Sequence, residues 1–341
     1  MLTPRQEFIL RKVVEGYLEG GQPVASRAIA ADPDVDYGPS TVRNELAILE
    51  EYGLLAHPHT SAGRIPTDAG HRFVVDRLLA DGQASVPARR LELSLIAREV
   101  DDAMRMTTEA LSQVTNLLAI VTAPPLDTAT IRHVEVLALQ PQVLMVVIIT
   151  STGGVSKRIF PFGHPVDPGL VAWAAEYLNE QLVGLGLGAR MLHQRLAGST
   201  LGSSEGAFIG ELMPAFTDLA ATAEDTLYLD GAARLFTEHR LQDLNEINEL
   251  MEVLERRVSL LAILRSALLE RDIYVRIGEE NELPALRSLA MVAAGYGLPG
   301  RKLGTVSVIG PVRMDYAAVM TDVREAAAQL SRFVADVYED G

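Results

Sequence analysis

Cysteine is absent from the 341-residue chain. Disulfides, thiol nucleophiles and thiolate metal sites are therefore excluded. No uninterrupted apolar run approaches the roughly 20 residues needed to cross a bilayer. The start, MLTPRQEFILRKVVEGYLEG, lacks the basic-then-apolar order of a secretory leader and interrupts its apolar positions with Glu15 and Glu19. A cytoplasmic protein with no membrane contact is expected. Basic charge is also scarce, with 30 Lys and Arg against 45 Asp and Glu for a net charge of -15. That balance argues against unspecific coating of nucleic acid, which is mostly charge neutralisation, but not against one small sequence-reading module. Residues 1–80 are themselves slightly acidic, with Arg5, Arg11, Lys12, Arg27, Arg43, Arg64, Arg72 and Arg77 against eleven Asp and Glu. Any DNA site there depends on arrangement rather than bulk charge.

Familiar catalytic patterns are missing too. No GxxxxGKS/T, GxGxxG or HExxH sequence occurs. GLGLGAR, residues 184–190, follows a helical pattern instead of a strand and lacks the spacing of a dinucleotide turn. His57, His59 and His71 are close in sequence, yet a wing tip facing DNA accounts for the first two without a metal. Glu279 and Glu280 in IGEEN are adjacent at a turn, where side chains point apart into solvent instead of converging as general acid and base. RMDY, residues 313–316, reads as a helix start with an aromatic resting on a sheet, or else as the lining of a sensor pocket. No enzyme, no cofactor and no metal are expected.

What is present is a globular composition, 48% hydrophobic and 22% charged with 27 Gly and 17 Pro, long enough for two or three domains. Residues 3–19 read as a helix with Thr3 as cap, Pro4 at its first position, and Phe8, Ile9, Val13 and Leu18 along one side. A short helix from about Val24 to Ala30 offers Ala28 and Ile29 to a core, and DPDVDYGP breaks it. In GPSTVRNELAILEEYGLL, Ser40 or Thr41 caps a third helix; Val42, Leu46 and Leu49, with Ile48, form its buried stripe, and Gly53 terminates it. LLAHPHTSAGRIPTDAG continues as a strand, a Gly-containing tip and a second strand, and Asp68 caps a helix through Leu79. Three short helices and a hairpin outline a winged helix-turn-helix, whose second helix of the turn enters the major groove. Arg43 and Asn44 are suited to guanine and adenine edges, and Ser40, Thr41, His59, Thr60, Ser61 and Arg64 to phosphate oxygens.

DGQASVPAR, residues 81–89, reads as a linker. A long helical region then runs to Pro124. Residues 131–160 look like two or three strands joined at Pro141 and at STGG. Helical residues return from about Pro168 to Leu196. From Leu241 to Leu268, apolar residues that include Leu244, Ile247, Leu250 and Leu254 recur at spacings of three and four, as either a dimer seam or the buried side of a domain helix. IYVRIG, a helical NELPALRSLAMVAAGYG, LGTVSVIGPVRM and a closing helix give an α/β alternation. Together with residues 131–160 they suggest one mixed sheet interrupted by mostly helical material.

TPRQEFILRKVVEGYLEGGQPVASRAI, GPSTVRNELAILEEYGLLAHPHTSAGRIPTDAGHRFVVD, YVRIGEEN and GTVSVIGPVRMDY resemble the bacterial heat-inducible transcription repressors that bind the inverted-repeat CIRCE operator. The resemblance is strong over residues 3–78, good over about 273–320 and loose between. It implies a multidomain α/β protein with a winged helix-turn-helix (1–80), a GAF-like α+β domain (90–190 and 266–341) and a mostly helical dimerisation domain inserted into it (191–265). It further implies a homodimer on double-stranded DNA upstream of chaperone operons, promoted by the chaperonin GroEL. Ser40 through Asn44 match the family's recognition helix, and His59 through Thr67 its wing. YLDGAARLFTEHRLQDL departs from the family pattern, which leaves the dimer contact open. A ligand-controlled regulator and a winged-helix protein-interaction module are the alternatives.

Overall fold

The computed structural model describes residues 2–58, 63–81, 100–124, 130–151, 155–186, 192, 195–196, 201–216, 227–235, 251–254, 257–268 and 272–339. The chain opens with helix α1 (Pro4–Gly20), where Thr3 and Gln6 form a reciprocal capping box and Pro4 occupies the first turn. Helices α2 (Ser26–Ala30) and α3 (Pro39–Glu51) follow. Strands β1 (Leu55–Ala56) and β2 (Ile65–Pro66) pair antiparallel, and an isolated bridge joins Arg64 to Val24. Helix α4 (Asp68–Ala80) closes this N-terminal module. Ile9, Leu10, Val13, Val24, Ile29, Val42, Leu46, Leu49 and Leu55 meet in its core. The expected caps are corrected at two helices. Gly38 is the N-cap of α3 and offers no side chain, because Pro39 already sits in the first turn and places Ser40 and Thr41 inside the helix. Thr67, not Asp68, caps α4 by accepting from the Gly70 N–H. Ala28 is exposed, so Ile29 anchors the short α2, with the half-buried Ala30 packed beside it.

The remainder runs through α5 (Val100–Thr115), β3 (Leu118–Thr122), β4 (Ile131–Gln140), β5 (Val143–Thr150), β6 (Val155–Pro161), α6 (Pro168–Leu182) and α7 (Ser203–Leu212). It continues with β7 (Leu227–Asp230), α8 (Arg257–Ala267), β8 (Ile273–Ile277), β9 (Leu289–Leu298), β10 (Arg301–Pro311) and α9 (Tyr316–Glu339). One five-stranded antiparallel sheet has the order β7-β3-β10-β9-β8. Its two faces are sorted by the period of two that every strand imposes. Ala119, Val121, Val292, Val306 and Val308 point toward α5 and α9. Leu118, Ile120, Met291, Ala293 and Ile309 join Leu260 and Leu264 of α8 in a second core on the other face. Both faces of the central strands are buried, which is why LAIVT of β3 and LAMVAA of β9 read as continuous apolar runs.

The expected single mixed sheet is not formed. Strands β4, β5 and β6 make a separate three-stranded antiparallel sheet, with Pro141 in the turn between the first two. Alternate residues of β5 (Leu144, Val146, Ile148) bury one face against Ala174, Leu178 and Leu182 of α6. The same core takes in Leu192, Leu196, Phe208, Ile209 and Leu212, so the expected boundary at residue 190 would cut through it. At the other expected boundary, α8 spans residue 265 and packs on the large sheet, so residues 257–265 go with the body and not with an inserted unit. Of the apolar stripe, Leu254 is buried in the core under the large sheet, while Leu244, Ile247 and Leu250 lie outside the described residues. Among the described residues no helix is long and apolar enough to cross a membrane.

Candidate nucleic-acid interface

Helix α3 divides cleanly by its 3.6-residue period. Val42, Leu46 and Leu49 are buried, whereas Ser40, Arg43, Asn44 and Ala47 are exposed and share the opposite side. Among the described residues neither the Arg43 nor the Asn44 side chain has a hydrogen-bond or ion-pair partner. A local ion pair for Arg43 is therefore not formed there, and both side chains remain available. With no side chain capping the helix, the first-turn N–H groups beside Ser40 and Thr41 stay open at the positive end of the helix dipole.

The orientation of α3 is fixed from behind by Glu45, which is only 4% exposed. Arg5 Nη2 lies 2.5 Å from its carboxylate, and Gln6 Nε2 donates to it at 3.0 Å. Gln6 belongs to the α1 capping box, so the start of α1 is tied to the middle of α3. Three positions after Val42 and four before Leu49, Glu45 falls on the buried stripe of the helix. Lys12 is committed elsewhere, 3.0 Å from Asp32 and 3.2 Å from Asp34. The Asp32 hydrogen bond, against a smaller penalty from burial, holds its ammonium well above the ordinary lysine range. The acidic DPDVD segment is thus pinned to α1 by the module's single lysine.

The base of the hairpin is built closely onto the module. Arg64 and Val24 exchange two backbone hydrogen bonds, at 2.8 and 2.9 Å. A Cβ on Gly63 would overlap the Val24 carbonyl, so only glycine permits that approach. The Arg64 guanidinium lies 2.7 Å from Glu50 of α3, and its buried Nε has no hydrogen-bond partner among the described residues. Beside the phosphate contact expected of it, Arg64 has a second task, stapling the hairpin to α3. His59, Thr60 and Ser61 lie outside the described residues.

The family model described as HrcA protein C terminal domain matches residues 101–320. A heat-inducible transcription repressor HrcA of Parafrankia sp. (strain EAN1pec) is 36% identical over 337 residues, covering 96% of this chain and 97% of its own. Its counterpart in Frankia casuarinae is 37% identical over 338 residues, with the same coverage of 96% and 97%. That of Brevibacillus brevis is 29% identical over 344 residues, covering 99% and 100%. A crystal structure of a hypothetical protein at 2.2 Å resolution superposes with a TM-score of 0.69 at 22% identity, covering 99% of this chain and 100% of that one, and so shares the fold. These relatives carry the name of repressors and not of enzymes. With the family model spanning most of the chain and the relatives nearly all of it, the chain belongs to the HrcA family of heat-inducible transcription repressors.

Proposed function

We propose that the N-terminal module is a winged helix-turn-helix in which α3 enters the major groove of an inverted-repeat operator. The observation that carries this reading is the exposed row of Ser40, Arg43, Asn44 and Ala47, with Arg43 and Asn44 unpartnered among the described residues, on a helix whose other face is buried. Arg43 and Asn44 read bases; Ser40 and Thr41 with the open first-turn N–H groups, and His59, Thr60, Ser61 and Arg64 of the wing, hold the backbone. The protein acts in the cytoplasm on operators of chaperone operons, and GroEL promotes its DNA-binding state; both points rest on family resemblance. The five-stranded sheet with α5, α8 and α9 is a GAF-like scaffold, and residues 130–216, with their own sheet and core, are the unit inserted into it. The scaffold reading is supported by the sheet's satisfied polar interior. Thr122 Oγ1 accepts from the Thr305 N–H at 2.8 Å, Ser307 donates to Ile120 O at 2.9 Å, and Tyr296 donates to Thr122 O at 2.6 Å.

Dimerisation is assigned to the outer face of the β4-β5-β6 sheet. Leu137, Val155 and Ile159 are exposed there at 39%, 65% and 58%, beside the half-buried Met145, Val147 and Ile149. Glu135 and Lys157 flank Val147 in one cross-strand row, with Glu135 also paired to His133. A two-fold axis along β5 lays Glu135 of one copy over Lys157 of the other, so the face is complementary to itself. The test of the whole reading is binding of the full chain to a CIRCE inverted repeat and to its shuffled control at several salt concentrations. Preference for the repeat is expected, and equal affinity for the two would refute the assignment.

A further inference from the structure

Helix α4 belongs to two cores at once. Phe73 and Val74 pack on the N-terminal module, while Val75 is fully buried in the core between the large sheet and α9, with Leu78 and Leu79 against it. Around it the module and the body are joined by a set of directional contacts. Arg72 Nε donates to Glu280 Oε1 at 2.7 Å, its Nη2 also reaches the second Glu280 oxygen, and the same nitrogen donates to Val275 O at 2.7 Å. Glu280 Oε2 accepts from the Ile277 N–H at 2.9 Å as well. Burial pushes the Glu280 carboxyl up, but the hydrogen bonds from Arg72 and Ile277 outweigh it and hold the group below the ordinary carboxylate range. Asp68 Oδ2 accepts from the Glu279 N–H at 3.2 Å. The turn that presents these groups is rigid: Asn281 Nδ2 lies 3.0 Å from the carbonyls of Gly278, Leu286 and Leu289. Gly278 has φ +56°, and a Cβ there would overlap the Asp68 carboxylate. Farther along, His71 packs on Tyr316 with ring centroids 5.9 Å apart, and Arg313 lies over Tyr17 at 5.7 Å.

A fork-shaped Arg–carboxylate pair fixes direction as well as distance. Direction matters here because α4 carries the reading helix at the end of an arm. A tilt of about 10° over a helix of about 20 Å displaces the far end by about 3.5 Å, the rise of one base-pair step. We propose that the Arg72–Glu280 pair, with Asp68 seated on the Gly278–Glu279 turn, sets the angle at which each DNA-reading module leaves the body and thereby selects the half-site spacing that the dimer accepts. These are positioning residues for DNA recognition, and the inference rests on the dimeric inverted-repeat reading above.

The experiment uses full-length protein and three variants, Glu280→Gln, Arg72→Lys and Gly278→Ala. Affinity is measured for a single half-site duplex, for the CIRCE repeat, and for repeats whose spacer is longer or shorter by one base pair. The unaltered protein loses about tenfold or more in affinity per spacer change, the order of cost set by distorting DNA to fit a fixed dimer. Each variant reduces that spacing penalty to about threefold or less, while half-site affinity and the preference over a mismatched half-site stay within about twofold. A merely structural role would lower all affinities together and leave the spacing penalty unchanged. That outcome, or variants that bind every spacing more tightly than the unaltered protein, overturns the proposal. If the unaltered protein fails to prefer the repeat over shuffled DNA, it is the operator reading itself that fails.

Discussion

Arg43 and Arg64 carry the same charge on the same small module, yet their surroundings set them different tasks. Arg43 is exposed and, among the described residues, unpartnered, and a bidentate base contact contributes about 1 to 3 kcal/mol of discrimination. Arg43→Ala is expected to lose operator affinity and to flatten the preference over a mismatched half-site. An unchanged specificity ratio in competition binding would count against it. Arg64 is held by Glu50. Arg64→Ala is expected to weaken matched and shuffled DNA alike with a shallower salt dependence, and also to lower the melting temperature. Glu50→Gln separates the two effects, lowering the melting temperature while leaving the salt slope intact. His71 supplies a pH effect of definite sign. Burial, against a smaller pull from Asp68, pushes its imidazole from 6.5 down to about 4. The unfolded chain binds this proton at a higher pH than the folded one, so the stabilisation is complete above pH 6.5 and is lost as pH falls toward about 4. The difference corresponds to about 3 kcal/mol. Denaturant titrations across that window should show His71→Phe with a flatter pH dependence than the unaltered protein, and parallel slopes would refute the assignment.

At the scale of elements, composition and packing place the first boundary differently. DGQASVPAR looks like a linker, and an N-terminal unit ending at residue 80 follows from it. Packing instead gives α4 to the body as well, through Val75 and the Arg72–Glu280 pair. Removing residues 1–66 should therefore leave a cooperatively melting remainder that no longer binds operator. Removing residues 1–80 strips a buried valine and leaves Glu280 without its cation, for a further loss of about 3 kcal/mol or more. Equal melting curves for the two truncations would show that α4 contributes nothing to the body. Capping chemistry made α1 legible in sequence and the amphipathic period made α3 so, because each signal is local, whereas the caps expected for α3 and α4 were misplaced. Strands β3 and β9 were not legible. LLAIVT and LAMVAA are buried on both faces, so no alternation marks them, and their Leu, Ala and Met content favours helix until sheet pairing overrides it. At the site, the exposed pair Arg43 and Asn44 followed from the helical period. The partners of Glu45 and Arg64 did not, because Arg5 and Glu50 are brought to them only by tertiary packing.

At the scale of the whole molecule, the proposed dimer would multiply a weak reader. Lys12 is spent on Asp32 and Asp34, and Arg5 on Glu45, so a single module has little free positive charge with which to hold DNA. Two modules on one palindrome recover affinity through effective concentration, which contributes about 10² to 10⁴ without any new contact. The acidic remainder of a chain with net charge -15 disfavours retention on other sequences. On the dimeric reading proposed above, operator binding depends on the exposed face of the β4-β5-β6 sheet as well as on α3. Ile159 tests this, because it is 58% exposed and lies in the row with Leu137 and Met145, so a charge there costs the isolated chain little. Across a two-fold face along β5, however, it buries an unpaired carboxylate against apolar side chains, the Leu137 end of the same row. Ile159→Glu is expected to shift the protein to the 36.9 kDa mass of one chain in light scattering at micromolar concentration. Affinity for the inverted repeat should fall by about a hundredfold, toward that of a single half-site, while half-site affinity stays unchanged. Should Ile159→Glu remain dimeric while Ile247→Glu becomes monomeric, association would belong to the apolar stripe of Leu244, Ile247 and Leu250 and not to the sheet face.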